Sequence, residues 1–79
     1  MQFQVDKNTY NTQGTSKAFA DTDSNNITYY IPRSQVKVIE EIPAPTKYSF
    51  PQLVIDIPDW IIRKNGIPVF KMTALFLLR

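Results

Sequence analysis

Apolar and polar residues alternate at the start of the chain, where Phe3 and Val5 alternate with Gln2 and Gln4. Successive side chains of a β-strand point to opposite faces, so this pattern predicts a half-buried strand. Residues 7–16 follow without alternation and are rich in Asn, Thr, Gly and Ser. We therefore expect an exposed loop over this range.

A second strand is predicted for residues 27–31, because β-branched and aromatic residues dominate the segment ITYYI. Ile27, Tyr29 and Ile31 share one face, which we expect to be buried. Tyr30 lies on the opposite face and is expected to be exposed. The short apolar segment KAFA and the turn-forming run DTDSNN precede this strand, as in a strand followed by a turn.

Pro32 ends the predicted strand, because proline cannot donate a hydrogen bond to a neighbouring strand. The polar residues Arg33, Ser34 and Gln35 follow it. A corner between two strands accounts for them, since a serine hydroxyl can bond the local backbone. That role does not require a basic residue at position 33, so Arg33 is a candidate for recognition.

The corner leads into another alternating run, in which Val36 and Val38 are expected to point inward and Lys37 outward. Residues 43–46 contain two prolines and are predicted to form a Pro-rich connector. A further strand is predicted over residues 52–57, with three of its apolar residues on one face. Those residues are Leu53, Ile55 and Ile57.

A short helix is predicted near residues 58–65, where start and stop signals occur together. Pro58 suits the first turn, and Asp59 is favourable at the positive end of the helix dipole. Gly66 fits the position just past the last turn. Trp60 is expected to pack on the sheet.

The pattern as a whole predicts one domain over residues 1–79 that is mainly β, of the α+β type. We expect a small antiparallel or mixed sheet, or an open barrel, of about five strands with the short helix as a cap. Residues 67–79 are interpreted as a strand followed by an apolar end. That run is too short to span a bilayer and Lys71 interrupts it, so no membrane partner is expected.

Cysteine and histidine are both missing from the sequence. Disulfides, thiolate metal sites, Ser-His catalysis and Cys-His catalysis are therefore excluded, and no cofactor is expected. A chain of 79 residues buries a small share of its surface, so we expect self-association or a partner to add stability. The polar N-terminus has no export signal, which predicts a cytoplasmic protein.

Two pairs of carboxylates are candidate acid–base groups, Asp21 with Asp23 and Asp56 with Asp59. Asp residues occur more often at turns and helix starts for structural reasons, and both pairs lie at such places. The first pair also resembles the start of a calcium loop, but the glycine and the final glutamate of that loop are missing. We therefore predict neither catalysis nor a metal site.

Aromatic and basic residues together suggest nucleic acid, since small β-barrels bind single strands through stacking and phosphate contacts. The net charge of +2 is modest for such a protein. The candidate contacts for a partner protein or a nucleic acid are the aromatic and basic residues expected to be exposed. They are Tyr30, Arg33, Lys37, Arg63 and Lys64.

Residues 29–36, YYIPRSQV, and 55–67, IDIPDWIIRKNGI, resemble motifs of small bacteriophage and mobile-element proteins, and Lys17-Ala18 matches the same pattern. The family pattern has Trp where this chain has Tyr30 and Lys where it has Arg33, so both differences keep the chemical type. The resemblance implies a small phage-type protein that acts in the cytoplasm of a host cell. It implies no particular activity.

Two functions agree with these features. The first is a non-enzymatic phage-type accessory protein that binds a host macromolecule, for example to inhibit a defence or replication component, and that self-associates. The alternative is a small β-barrel protein that binds single-stranded nucleic acid. Salt-dependent binding of an oligonucleotide would separate the two.

Overall fold

Residues 1–78, which the computed structural model describes, form six β-strands and two short α-helices. In chain order the elements are β1 (Gln2–Asp6), α1 (Lys7–Thr12), β2 (Ala18–Thr22), β3 (Thr28–Pro32), β4 (Lys37–Ile42), β5 (Gln52–Asp56), α2 (Asp59–Asn65) and β6 (Phe76–Leu77). A single 3-10 turn, Arg33–Gln35, forms the predicted corner between β3 and β4. The mainly β prediction is confirmed.

The strands form two antiparallel sheets. β4, β5, β1 and β6 lie side by side in that order, and β2 pairs with β3 as a hairpin. Phe3 of the central strand β1 lies opposite Ile55 of β5 on one side and opposite Leu77 of β6 on the other. The first strand of the chain is therefore held by strands from its second half.

The apolar core is built from the four-stranded sheet, the hairpin and both helices. The predicted common face of the strand at residues 52–57 is confirmed, because Leu53, Ile55 and Ile57 all belong to the core cluster, whereas Val54 between them does not. The buried cluster consists of Phe3, Val5, Tyr10, Phe19, Ile31, Leu53, Ile55, Ile57, Ile61, Ile62, Ile67 and Leu75. Residues from nearly every element meet in this one cluster, which is why so short a chain can hold a defined fold.

The hairpin of β2 and β3 confirms the predicted buried face for two of its three residues and contradicts it for the third. Ile31 is fully buried and Tyr29 is partly buried against the core, as expected. Ile27, which was expected on the same buried face, is more than half exposed. It lies in the turn before β3, next to Asn26 with its left-handed φ of 63°, and so precedes the part of the strand that packs on the core.

The exposed loop predicted for residues 7–16 is wrong over its first half, because residues 7–12 form α1. The side chain of Asp6 caps this helix by accepting a hydrogen bond from the backbone N–H of Thr9, over 3.1 Å. Tyr10 is buried, and its ring stacks on the ring of Phe19 with the centroids 5.2 Å apart. One aromatic residue thus anchors a helix that has no apolar periodicity.

Strand β4 lies at the edge of the sheet, and the prediction that Val38 points inward is wrong. Val36 packs partly against the core, but Val38 is half exposed. A register shift between Val38 and Glu40 leaves Ile39 without a partner on β5. Residues 43–46 lie outside the strands, in the connection from β4 to β5.

Helix α2 agrees with the predicted range and ends at Gly66, which adopts φ 60° and ψ 38°. The expected packing of Trp60 on the sheet is wrong. Ile61 and Ile62 face the core, so Trp60 is turned outward and is 54% exposed. A helix of two turns has one buried side, and the two isoleucines fill it.

The C-terminal segment forms its strand later than the sequence suggests. A turn closes where the N–H of Lys71 donates to the carbonyl oxygen of Pro68 over 2.8 Å, and β6 follows only at Phe76. The strand predicted at the start of this segment is therefore wrong, and the apolar end of the described chain forms the strand instead. No helix within residues 1–78 has the length and apolar character needed to cross a membrane.

Candidate functional site

Arg33, at the start of the 3-10 turn, binds the backbone of another part of the chain. Its guanidinium donates to three carbonyl oxygens, through Nη1 to Tyr10 over 2.6 Å, Nε to Thr15 over 2.8 Å and Nη2 to Gln13 over 2.9 Å. Arginine presents its donors in a rigid planar fork, so one side chain can satisfy several carbonyls at once. Arg33 thus holds α1 and the loop after it against the hairpin.

The same guanidinium lies over aromatic rings. Its Cζ atom is 4.9 Å from the ring centroid of Tyr10 and 5.9 Å from that of Phe19, distances typical of cation–π contacts. Arg33 was expected to be exposed, but it is half-buried and its donors are used by its own chain. This internal role accounts for the basic residue at position 33.

The other predicted contact residues are exposed but lie on three separate elements. Tyr30 is 60% exposed on β3, Lys37 begins β4, and the basic pair Arg63 and Lys64 lies in the last turn of α2. None of them takes part in the ion pairs between residues 1 and 78. Of these residues only the basic pair shares one element.

The exposed face of α2 adds an aromatic residue to that pair. Trp60 precedes Arg63 by three positions and Lys64 by four, a spacing that places all three on neighbouring positions of one helix face. All three are exposed. The sequence analysis missed this cluster because it assigned Trp60 to the core, although the two isoleucines that follow it are a better match to the buried side.

An apolar groove runs along the end of the described chain, and we call it the C-terminal groove. It has a volume of about 470 Å³ and is lined by Val69, Phe70, Met72, Leu75, Phe76, Leu77 and Leu78. Phe70 and Phe76 are 73% and 70% exposed. All the lining residues are apolar, so the groove offers shape and apolar surface rather than catalytic groups.

The buried carboxylate of Asp21 fixes the segment that leads into this groove. Its Oδ1 accepts hydrogen bonds from Thr73 Oγ1 over 2.9 Å and from the N–H of Ala74 over 3.2 Å. Its Oδ2 accepts from the N–H of Leu75 over 3.1 Å. Thr73 also donates its N–H to the carbonyl oxygen of Thr22 over 3.0 Å. The groove therefore has a rigid inner wall.

Asp23, two residues further on, organises the hairpin turn. Its burial alone would raise the pKa of its carboxyl group. Hydrogen bonds from the N–H groups of Ile27 and Asn25 and from the hydroxyl of Tyr29, with the charge of Lys71, outweigh burial and lower the pKa. The role predicted for an aspartate in this turn is confirmed for Asp23. Asp21 was predicted in the same turn but lies in β2, where it binds the backbone of Ala74 and Leu75 instead.

The positions of the carboxylates bear on metal binding as well. Within residues 1–78 no three side chains of Asp, Glu, His or Cys come together as a group able to hold a metal ion. The buried aspartate oxygens are instead used by backbone N–H groups and hydroxyls. Asp21 thus fixes the segment that leads into the groove, and Asp23 fixes the hairpin turn.

Comparison with known proteins gives no family for this chain. No family model matches it, and no match was found among the curated proteins or the solved structures. The function therefore has to be argued from the C-terminal groove and from the exposed face of α2.

Proposed function

We propose that the protein is a non-enzymatic binding module that captures an apolar segment of a partner protein in its C-terminal groove. The observation that carries this proposal is the groove itself, whose seven lining residues are all apolar and include two largely exposed phenylalanines. Contiguous exposed apolar surface on a small domain is typical of an interaction site. Burial of aromatic side chains supplies much of the binding free energy at such sites.

The position of the groove favours an extended segment as the ligand. Phe76 and Leu77 belong to β6, the last strand of its sheet, which pairs with β1 alone among the described strands. A peptide can add to such an edge through main-chain hydrogen bonds while its side chains enter an adjacent pocket. Lys71 is the only charged residue between residues 66 and 78. An acidic residue of the peptide, next to the apolar residue that enters the groove, would therefore be favourable.

The resemblance in residues 29–36 and 55–67 suggests where the partner is found. On that basis we place the partner in the host cell of a mobile element, as a protein whose activity the bound module inhibits. The pattern resemblance supports this part of the proposal, while the groove supports only the mode of binding.

A displayed library of random peptides tests the binding mode directly. Peptides selected on the wild-type protein are expected to share one or two large apolar residues with an acidic neighbour. Their affinity should fall sharply for Phe76→Ser, because the substitution removes an exposed wall of the groove. Tyr48→Ser is the matched control, since Tyr48 is 85% exposed and lies outside the groove. Selection of no peptides, or equal affinity for both variants, would overturn the proposal.

A second function, binding of single-stranded nucleic acid, is favoured by the exposed face of α2. Trp60 offers a ring for stacking on a base, and Arg63 and Lys64 are placed beside it to meet phosphates. Arg33, which the sequence assigned to this function, is engaged inside the protein. The site is therefore smaller than expected and consists of three residues on one helix.

An oligonucleotide titration across a salt series tests this second function. Binding should weaken as salt rises, and Lys64→Glu should reduce both the affinity and its dependence on salt. Trp60→Ala should weaken binding to every sequence, because stacking on an indole ring does not depend on the base. Failure to bind at low salt would exclude the function, while peptide binding in the C-terminal groove would be unaffected.

A further inference from the structure

We propose that a polar cleft beside β1 binds neutral oligosaccharides. The cleft has a volume of about 540 Å³, which is a size typical of small-molecule sites. It is formed by β1, β5, α1 and the end of the chain from residue 73 onwards, and its polar side chains are Gln4, Asp6, Thr9, Gln52 and Thr73. Phe76 borders both this cleft and the C-terminal groove, but the other residues of the cleft lie outside the groove. Sugar binding here does not depend on peptide capture in the groove.

The pairing of β1 with its two neighbours places four side chains of the cleft on one face of the sheet. Gln4 lies opposite Phe76 of β6, and Asp6 lies opposite Gln52 of β5. Residues directly opposite each other in an antiparallel pair share a face, as do residues two apart in one strand. The alternate residues of β1 are buried in the core. The four side chains therefore lie together on the face that points away from the core.

The hydrogen-bonding groups of this face are free to meet a ligand. Over the described part of the chain, the amides of Gln4 and Gln52 and the hydroxyl of Thr9 make no side-chain hydrogen bond to another residue. Asp6 accepts from the N–H of Thr9 through Oδ1 over 3.1 Å, which orients the carboxylate and leaves Oδ2 available. All four residues are partly exposed. A ligand can therefore bond to them without breaking a side-chain hydrogen bond between them.

The chemistry of the lining selects a neutral ligand that is rich in hydroxyl groups. None of the described residues around the cleft is basic, and the carboxylate of Asp6 disfavours a phosphate or an acidic peptide. Amide and hydroxyl side chains both donate and accept hydrogen bonds, as the hydroxyl groups of sugars do. Phe76 is 70% exposed, and its ring can pack against the C–H groups on one face of a sugar ring.

A second depression extends the cleft and favours an oligosaccharide over a single sugar. It has a volume of about 320 Å³ and shares Thr9 and Thr73 with the first depression. The polar residues that it adds are Gln13, Asp21, Thr22 and Thr28. The carboxylate of Asp21 is already bonded to backbone N–H groups and a hydroxyl, so the amide and hydroxyl side chains are left for a ligand. Two adjoining depressions of this kind can hold successive units of one sugar chain.

Amide NMR titrations of the full chain with maltotriose, cellotriose and mannotriose test the proposal. At least one trisaccharide should shift the resonances of residues in the cleft and should bind more tightly than its monosaccharide. Water competes for every hydrogen bond in an open cleft, so we expect dissociation constants in the millimolar range. Trigalacturonate has the same length but carries carboxylates, and it should bind more weakly than the best neutral trisaccharide.

Two substitutions that remove one hydrogen-bonding group each locate the site. Thr9→Val keeps the shape of the side chain and leaves the N–H that bonds to Asp6, and it should weaken binding by about fivefold. Gln4→Val should have an effect of similar size. Gln2→Val is the matched control, because Gln2 lies on the same face of β1 but outside the cleft.

Three results would overturn the proposal. They are no shift with any of the trisaccharides, equal affinities for Gln4→Val and Gln2→Val, and tighter binding of trigalacturonate than of the neutral sugars. Thr9→Val should leave peptide capture in the C-terminal groove unchanged, since Thr9 does not line that groove. Sugar binding without peptide capture would support the cleft and contradict only the proposed function.

Discussion

Arg33 contacts Tyr10 in two ways, since its Nη1 donates to the Tyr10 carbonyl oxygen over 2.6 Å and its Cζ lies 4.9 Å from the Tyr10 ring centroid. The two residues are far apart in sequence and belong to different elements, the 3-10 turn and α1. Through this contact Arg33 helps to hold the 3-10 turn and α1 together.

Replacement of Arg33 by lysine should therefore destabilise the fold. Lysine keeps the charge but cannot reproduce a fork that donates to three carbonyls, so we expect the free energy of unfolding to fall by about 2 kcal/mol. Urea denaturation measures the change. Arg63→Lys is the matched control, because Arg63 is exposed on α2 and should change stability by less than about 0.5 kcal/mol. Equal stabilities for the two variants would contradict the role of Arg33 in holding α1 against the hairpin.

The two glycines should differ in their tolerance of alanine. A Cβ atom on Gly14, whose φ is +93°, would clash with the carbonyl oxygen of Ala18 and lie 2.7 Å from the backbone nitrogen of Ala20. Gly66 has a φ of +60° and open space around it. We expect Gly14→Ala to cost about 3 kcal/mol and Gly66→Ala about 1 kcal/mol, measured by thermal or urea denaturation. A larger loss at Gly66 would contradict the described packing.

The lowered pKa of Asp23 predicts a pH-dependent contribution to stability. The pKa of a carboxyl group in the unfolded chain is about 3.9. When folding lowers that pKa, the charged group stabilises the folded state fully above the unfolded pKa. This contribution to the free energy of unfolding is lost as the pH falls through the pKa of the folded state. Asp23→Asn should therefore be destabilising at neutral pH. The difference from the wild type should shrink below about pH 4. Urea denaturation at several pH values measures this, and a difference that grows on acidification would contradict the assignment.

The exposure of Trp60 is open to a direct test, because it is the single tryptophan of the chain. Acrylamide should quench its fluorescence in the folded protein nearly as well as in the unfolded protein. Trp60→Ala should change the free energy of unfolding by less than about 1 kcal/mol, far below the cost of removing a buried aromatic residue. Strong protection from the quencher would place the indole ring in the core, as the sequence suggested.

Much of the fold was predictable because it rests on local patterns. The alternation around Phe3, the common face of Leu53 and Ile55, and the end of α2 at Gly66 all follow from strand and helix periodicity or from capping. Such signals depend on neighbours within a few residues, so a single sequence is enough to read them.

The features that the sequence predicted wrongly depend on contacts between distant parts of the chain. Helix α1 is stabilised by Tyr10, which stacks on Phe19, and by Arg33 from beyond the hairpin. Val38 is exposed because β4 happens to be the edge of the sheet. Strand order and long-range contacts are set by the tertiary fold, so a local pattern does not contain them.

The candidate sites were predictable only in part. Lys64 and its basic neighbour were identified as exposed, but their association with Trp60 required the orientation of α2. The C-terminal groove needed the turn at Pro68 and the anchor at Asp21, which the sequence analysis did not foresee. Asp21 was assigned a structural role in a turn, but it lies in β2 and its distant partners were not predictable from the local sequence.

The central place of β1 has a consequence for synthesis of the protein. Its two neighbours, β5 and β6, are made long after it, and the residues bound by Asp21 emerge later still than β5. A nascent chain therefore carries Phe3 and Val5 without their strand partners until β5 and β6 have been made. Pairing between such distant segments is slow compared with local contacts. We expect the chain to acquire protease resistance in one step, and only after β6 has been made.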